Sequence, residues 1–121
     1  MFEGLAIPKF DGENYAWWSI IMKTLLKIKG FWEIIQEGYE EPPKWSSLEG
    51  EEKRVKKEKQ YQNCLALMDI RKGMKENFFP LIASCKSASI AWKVLKDVFD
   101  VNEYEGSWEE PCFKDPFEGL F

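Results

Sequence analysis

Apolar side chains recur at intervals of three and four residues along most of the chain, which is the spacing of one face of an α-helix. No run alternates polar and apolar residues over the length of a strand. The sequence therefore predicts an all-α fold, a compact bundle of four to five helices. The clearest example is the first helix, whose apolar positions are Tyr15, Trp18, Ile21, Met22, Leu25, Leu26 and Ile28.

Residues that begin and end helices divide this pattern into segments in the first half of the chain. Asp11 or Asn14 is expected to cap the first helix, and Gly30 is expected to end it in a left-handed conformation. A short second helix is expected to end at Gly38. Residues 39–44 contain two adjacent prolines and are predicted to form a loop, because proline cannot continue a helix.

A long helix is predicted to begin at a cap, Ser46 or Ser47, and to run to about Lys72. Its second half is apolar on two sides, so this half is expected to be buried between neighbouring helices. One side consists of Tyr61, Cys64, Leu65 and Met68, and the other of Leu67, Ile70 and Met74.

Two further helical segments are predicted beyond the long helix. Gly73 and Pro80 are expected to interrupt the chain around a shorter helical piece at residues 77–83. Ser87 is expected to cap a last helix over residues 88–99.

The chain has no histidine, which excludes imidazole general bases, histidine-activated nucleophiles and histidine-containing metal sites. Its three cysteines, Cys64, Cys85 and Cys112, lie far apart and form no C-x-x-C pair. Neither of the common glycine-rich phosphate-binding patterns occurs. We therefore predict no enzymatic activity, no metal site and no cofactor.

Cysteine usage and hydropathy bear on location. Unpaired thiols, the lack of about 20 consecutive apolar residues and the lack of a signal-peptide pattern predict an intracellular protein, cytoplasmic or nuclear, without a membrane partner.

Charge is distributed unevenly along the chain. Its net value is −4, but residues 1–100 hold 16 Lys/Arg against 15 Asp/Glu, whereas residues 101–121 hold one lysine and six acids. A nearly neutral body does not favour nucleic-acid binding, which depends on clustered cations. The one basic run, residues 53–59, is interleaved with glutamates at helical spacing. It is interpreted first as a solvated helix face and only second as a contact for nucleic acid or an acidic partner.

The change in composition divides the chain into a helical domain at residues 1–104, a linker at 105–107 and an acidic aromatic segment at 108–121. Gly106–Ser107 is typical of an engineered junction, so the last segment is either a fused partner peptide or a natural acidic tail. Its prolines disfavour a regular helix, and its large apolar side chains are suited to fill pockets on a partner. These predicted peptide anchors are Trp108, Phe113, Phe117, Leu120 and Phe121.

Residues 5–100 closely resemble the start of the Gag polypeptide of plant copia-type retrotransposons. The resemblance rests on the order and spacing of several short motifs rather than on a single diagnostic one. These are IPKFDGENY at residues 7–15, Trp18, Met22, Leu26, GFW at 30–32, Ala66-Leu67, Ile82, Ser87-Ala88, Ala91-Trp92, Leu95 and Phe99.

The resemblance implies a helical, retroviral-capsid-like domain that acts by protein association, as a polyprotein fragment or as a domesticated copy with a host role. The zinc knuckle by which this family commonly binds nucleic acid is not carried over, because it needs a histidine. Some Gag-derived host domains bind linear peptides in a hydrophobic groove. We therefore expect a groove between the first and last helices that receives the aromatic segment, although the same side chains are also expected to form the core. The groove residues are predicted to be Tyr15, Trp18, Met22, Trp92 and Leu95.

Two other functions remain open at this point. The domain could be a structural capsid subunit that packs against copies of itself, as a homo-oligomer. It could also package nucleic acid through residues 53–59, in which case binding would weaken steeply with salt.

Overall fold

The computed structural model describes residues 6–100, and these residues confirm the all-α prediction. The predicted anchors at 108–121 and the boundaries at 104–108 lie outside the described residues. The structure contains four α-helices and two single turns of 3-10 helix, at residues 45–47 and 79–81. The α-helices are α1 at Tyr15–Lys29, α2 at Trp32–Glu37, α3 at Gly50–Lys72 and α4 at Ala88–Phe99.

Helices α1 and α2 end at the predicted glycines. Gly30 has a φ of +82° and its N–H bonds to the carbonyls of Leu26 and Lys27, which is the favoured left-handed stop. At the start of α1 the capping prediction fails, because Asn14 makes no side-chain cap. Its amide instead accepts a hydrogen bond from the N–H of Asp11 (3.0 Å) and donates to the carbonyl of Lys9 (2.9 Å).

Helix α3 begins two residues later than a cap at Ser47 predicts. The hydroxyl of Ser47 donates to the carbonyl of Lys44 (2.7 Å) inside the 3-10 turn and makes no cap, and the N-cap position falls at Glu49. The prediction that α3 is buried on two sides is wrong for one of them. Tyr61 is 64% exposed and Met68 is 44% exposed, since no described element covers that side.

The chain between α3 and α4 is mostly irregular. The helix predicted at 77–83 is only a 3-10 turn around Pro80, which lacks the N–H that a longer helix would need. The prediction for Ser87 is confirmed, because its hydroxyl accepts a hydrogen bond from the N–H of Ile90 (3.4 Å) at the start of α4.

The N-terminal segment, residues 6–10, packs against the core through contacts with residues that are distant in sequence. Phe10 pairs with Met74 in an isolated parallel bridge, in which the N–H of Phe10 donates to the carbonyl of Gly73 (2.6 Å). A Cβ at Gly73 would lie 2.6 Å from the methyl group of Met22 and 2.9 Å from the carbonyl oxygen of Pro8. Glycine therefore permits the close approach of α1, the N-terminal segment and the end of α3.

Candidate peptide-binding groove

Four of the five residues predicted to line a groove lie in the core. Trp18, Met22 and Leu95 have no exposed area, and Tyr15 is 8% exposed. A peptide could reach these side chains only if the helices moved apart. Trp92 is the exception, since it is half-buried at the surface between α2 and α4.

A groove of about 380 Å³ runs between α2 and α4, and Trp92 lies within it. It is at the small end of ligand pockets, which span roughly 300–1,000 Å³. Both helices contribute side chains to it. The lining residues are Trp32, Ile35, Gln36, Ser89, Trp92, Lys93, Lys96 and Asp97.

Two tryptophans form the aromatic part of the groove. The rings of Trp32 and Trp92 meet edge to face, with centroids 5.2 Å apart, and Trp92 stacks on the buried ring of Trp18 at 5.6 Å. The ammonium group of Lys23 lies 5.2 Å from the ring centroid of Trp32. The groove therefore has a rigid aromatic wall that is continuous with the core, and it offers apolar faces and edges to an incoming side chain.

The rim of the groove carries charge. Lys93 and Asp97 form an exposed ion pair (3.0 Å), and Lys96 also lines the groove. Exposed pairs contribute little to stability and exchange readily with water, so Lys93 can change partners at low cost. An acidic ligand would thus meet two ammonium groups and one carboxylate at the rim.

The position of α4, which forms one wall, depends on a buried asparagine of α3. The side chain of Asn63 accepts a hydrogen bond from the N–H of Ala88 (2.8 Å) and donates to the carbonyl of Lys86 (2.9 Å). Asn63 is 3% exposed, so these bonds are shielded from water. They fix the start of α4 against α3.

Tyr15, at the start of α1, is neutral. Burial and the nearby carboxylates of Asp100 and Asp97 raise the pKa of its hydroxyl above the usual range. Its ring contacts Phe10 edge to face, which is a packing contact within the core.

One glutamate, Glu41, stabilises the proline-containing loop at residues 39–44 through side-chain hydrogen bonds. The carboxylate of Glu41 accepts hydrogen bonds from Tyr39 (2.9 Å), Trp45 (3.3 Å) and Gln60 (3.1 Å). These hydrogen bonds lower the pKa of Glu41, and the bond from Tyr39 has the largest effect. The pKa of Tyr39 is raised to about 12, mainly by desolvation and also by its hydrogen bond to Glu41. Lys57 lies over the ring of Trp45 (4.9 Å).

Two cations of the basic run of α3, Arg54 and Lys59, form ion pairs within the molecule. Arg54 forms ion pairs with Glu51 and Glu58, and Lys59 pairs with Glu37 (3.2 Å). These contacts match the first interpretation of the run, a solvated helix face. Nucleic-acid binding through residues 53–59 stays a prediction.

The sequence patterns missed two features of the surface. Trp32 is not among the predicted groove residues, although its position beside Trp92 makes it part of the groove. The second feature is an apolar outer face on α1, where Trp17, Ile20, Ile21 and Ile28 are exposed. Ile21 and Ile28 were predicted on the same apolar face as Trp18 and Met22, and the structure corrects this, because both isoleucines are exposed while Trp18 and Met22 are buried.

Comparison of the chain with protein-family models, curated proteins and solved structures finds no match. Among residues 6–100, no group of three or more His, Cys, Asp or Glu side chains is arranged to hold a metal ion. In the same range, no helix has the length and apolar character needed to cross a membrane.

Proposed function

We propose that this chain is a non-catalytic, Gag-like interaction domain that binds a short aromatic and acidic peptide in the groove between α2 and α4. The observation that carries the proposal is the groove itself, with the edge of Trp92 against Trp32 and two lysines at the rim. Tryptophan is enriched among the residues that dominate the centres of protein interfaces, and polar and charged side chains belong to their rims.

The size of the groove limits what it can hold. A cavity of about 150 Å³ accommodates one benzene ring, so about 380 Å³ has room for two aromatic side chains. Two of the five predicted anchors, and not all five, would therefore be seated. We propose Phe113 and Phe117 as the two anchors that bind in the groove, because they lie four positions apart and have acidic neighbours in Asp115 and Glu118.

The chain's own acidic segment can reach this groove. Trp92 precedes Asp100 by eight helical positions, which is about 12 Å along α4. The eight residues from Asp100 to Trp108 can span up to about 26 Å. A tether of this length gives an effective concentration on the order of millimolar, sufficient to hold a weak ligand.

The test is a calorimetric titration of a synthetic peptide of residues 108–121 into a chain ending at Tyr104, which retains the whole described core. We expect saturable one-to-one binding that is lost when Phe113 and Phe117 are both changed to alanine. Absence of heat at high peptide concentration would contradict the proposal.

Charge variants test where the peptide binds. Lys96→Glu reverses a rim charge and should weaken binding about two- to fivefold, since an exposed charge pair contributes up to about 1 kcal/mol. Lys53→Glu, an equally solvent-accessible change on the far part of α3, is the matched control and should leave binding unchanged. Equal effects of the two variants would argue against the α2–α4 groove.

A self-assembling structural subunit, as in the capsid of a copia-type retroelement, is the second candidate. It is favoured by the apolar outer face of α1, where Trp17 is 54% exposed and Ile28 is 48% exposed. This function predicts a concentration-dependent oligomer that persists when the acidic segment cannot bind.

A further inference from the structure

The outer face of α1 is an apolar stripe on a helix whose other side is in the core. Its members are Trp17, Ile20, Ile21 and Ile28, with exposures of 54%, 44%, 38% and 48%. At 3.6 residues per turn these four positions fall within an arc of about 100°, along a helix about 22 Å long. We call this set the α1 stripe.

We propose that the α1 stripe is the surface through which this chain pairs with a second copy of itself. This inference rests on the self-association function given above as the second candidate and deepens it by naming the face. A single stripe on both copies can form a closed two-fold interface, which is the commonest symmetry of soluble oligomers.

The area of the stripe fits a weak dimer. Its side chains expose roughly 400 Å² of mostly apolar surface, so two copies would together bury about 800 Å², which is the size of a weak contact. The area on each copy is about half of the 800 Å² that each partner contributes to a standard interface. Flanking side chains must supply the rest, so the dimer should form in the micromolar to millimolar range.

The charges of α1 favour an apolar partner over an acidic one. The helix has three lysines and no acid, and Lys23 and Lys29 both contact their own molecule. Lys29 forms a largely buried ion pair with Asp69 (2.9 Å), and Lys23 lies over the ring of Trp32. A second α1 stripe would therefore pack against apolar side chains without bringing these two ammonium groups to the contact.

The test measures the mass of the full chain by sedimentation equilibrium from micromolar to near-millimolar concentration. We expect a monomer–dimer equilibrium that does not weaken between about 0.1 and 1 M NaCl, because apolar contacts are not screened by salt. A monomer at every concentration would overturn both this inference and the self-association function. Weakening with salt would overturn the apolar interface alone.

Point variants locate the interface. Ile20→Glu and Ile28→Glu should each weaken the dimer about tenfold or more, since each places an unpaired charge in the contact. Ile90→Glu on α4, where the isoleucine is 55% exposed, is the matched control and should change it less than about twofold. The urea midpoint of each variant shows that it is folded.

Two further outcomes would overturn the α1 assignment but leave self-association standing. One is a dimer that neither α1 variant affects. The other is a dimer that dissociates when Phe113 and Phe117 are changed to alanine in the full chain, because this result would assign the contact to the acidic segment.

Discussion

Replacing Asn63 by leucine tests whether one buried amide holds α4, and with it one wall of the groove, in place. Leucine has nearly the same size and shape but can neither accept from the N–H of Ala88 nor donate to the carbonyl of Lys86. The substitution therefore removes two hydrogen bonds and leaves the buried N–H of Ala88 without a partner, while the apolar contacts of α3 are largely kept.

The magnitude follows from these bonds. Each hydrogen bond contributes about 0.5–1.5 kcal/mol net, and a buried polar group left unpaired costs about 1–3 kcal/mol. We expect the free energy of unfolding to fall by about 2–4 kcal/mol, a large fraction of the roughly 5–15 kcal/mol of a typical domain. The melting temperature should fall by roughly 10–25 °C.

Urea denaturation followed by tryptophan fluorescence measures this change. With a slope of about 1–1.5 kcal/mol per molar urea, the midpoint should fall by roughly 1.3–4 M. Gln62→Leu, on the adjacent half-buried residue, is the control and should change the free energy by less than about 0.5 kcal/mol. A leucine variant as stable as the wild type would refute the reasoning.

Two further predictions concern packing and pH. Gly73→Ala should lower the free energy of unfolding by about 1–3 kcal/mol, because the new Cβ would lie 2.9 Å from the backbone carbonyl oxygen of Pro8 as well as against the methyl group of Met22. Thermal unfolding measures this, and an unchanged melting temperature would contradict it. The hydrogen bond from Tyr39 lowers the pKa of Glu41, so the stabilisation of the loop is present at neutral pH and is lost as the pH falls through that lowered value. The indole N–H resonance of Trp45 should accordingly titrate below the ordinary glutamate pKa, and a midpoint at or above that value would argue against the contact.

The helices that depend on local signals could be predicted from the sequence. Helices α1 and α4 have regular apolar spacing and local stop or start residues, Gly30 and Ser87, and they lie where these residues indicate. The beginning of α3 could not be predicted in this way. Ser47 can cap a helix or bond to a nearby carbonyl, and the sequence does not show that its hydroxyl is bonded to Lys44.

The groove between α2 and α4 could be predicted only in part, because its position depends on which apolar helix faces pack against each other. Periodicity shows that Trp18 and Trp92 lie on apolar faces but does not show which of them is covered completely. In the structure Trp18 also donates its indole N–H to the carbonyl of Pro8 (3.1 Å), a contact that requires the N-terminal segment to lie across α1. Trp92 has no such cover and reaches the surface beside Trp32, whose contribution required knowledge of the α2–α4 packing.

The aromatic side chains of the groove cannot be separated from those of the core. Ring contacts run from Phe99 to Phe10 (4.6 Å), to Trp18 (5.6 Å), to Trp92 (5.6 Å) and to Trp32 (5.2 Å). Removing the ring of Trp92 would create a cavity against Trp18 and cost about 3–5 kcal/mol, so peptide binding would be lost whether or not the ring contacts the peptide. Variants at the rim avoid this ambiguity, because their side chains reach the groove but contribute little to the core. A variant that changes the charge of Lys96, and not one that removes the ring of Trp92, is therefore the informative test of whether the groove binds an acidic peptide.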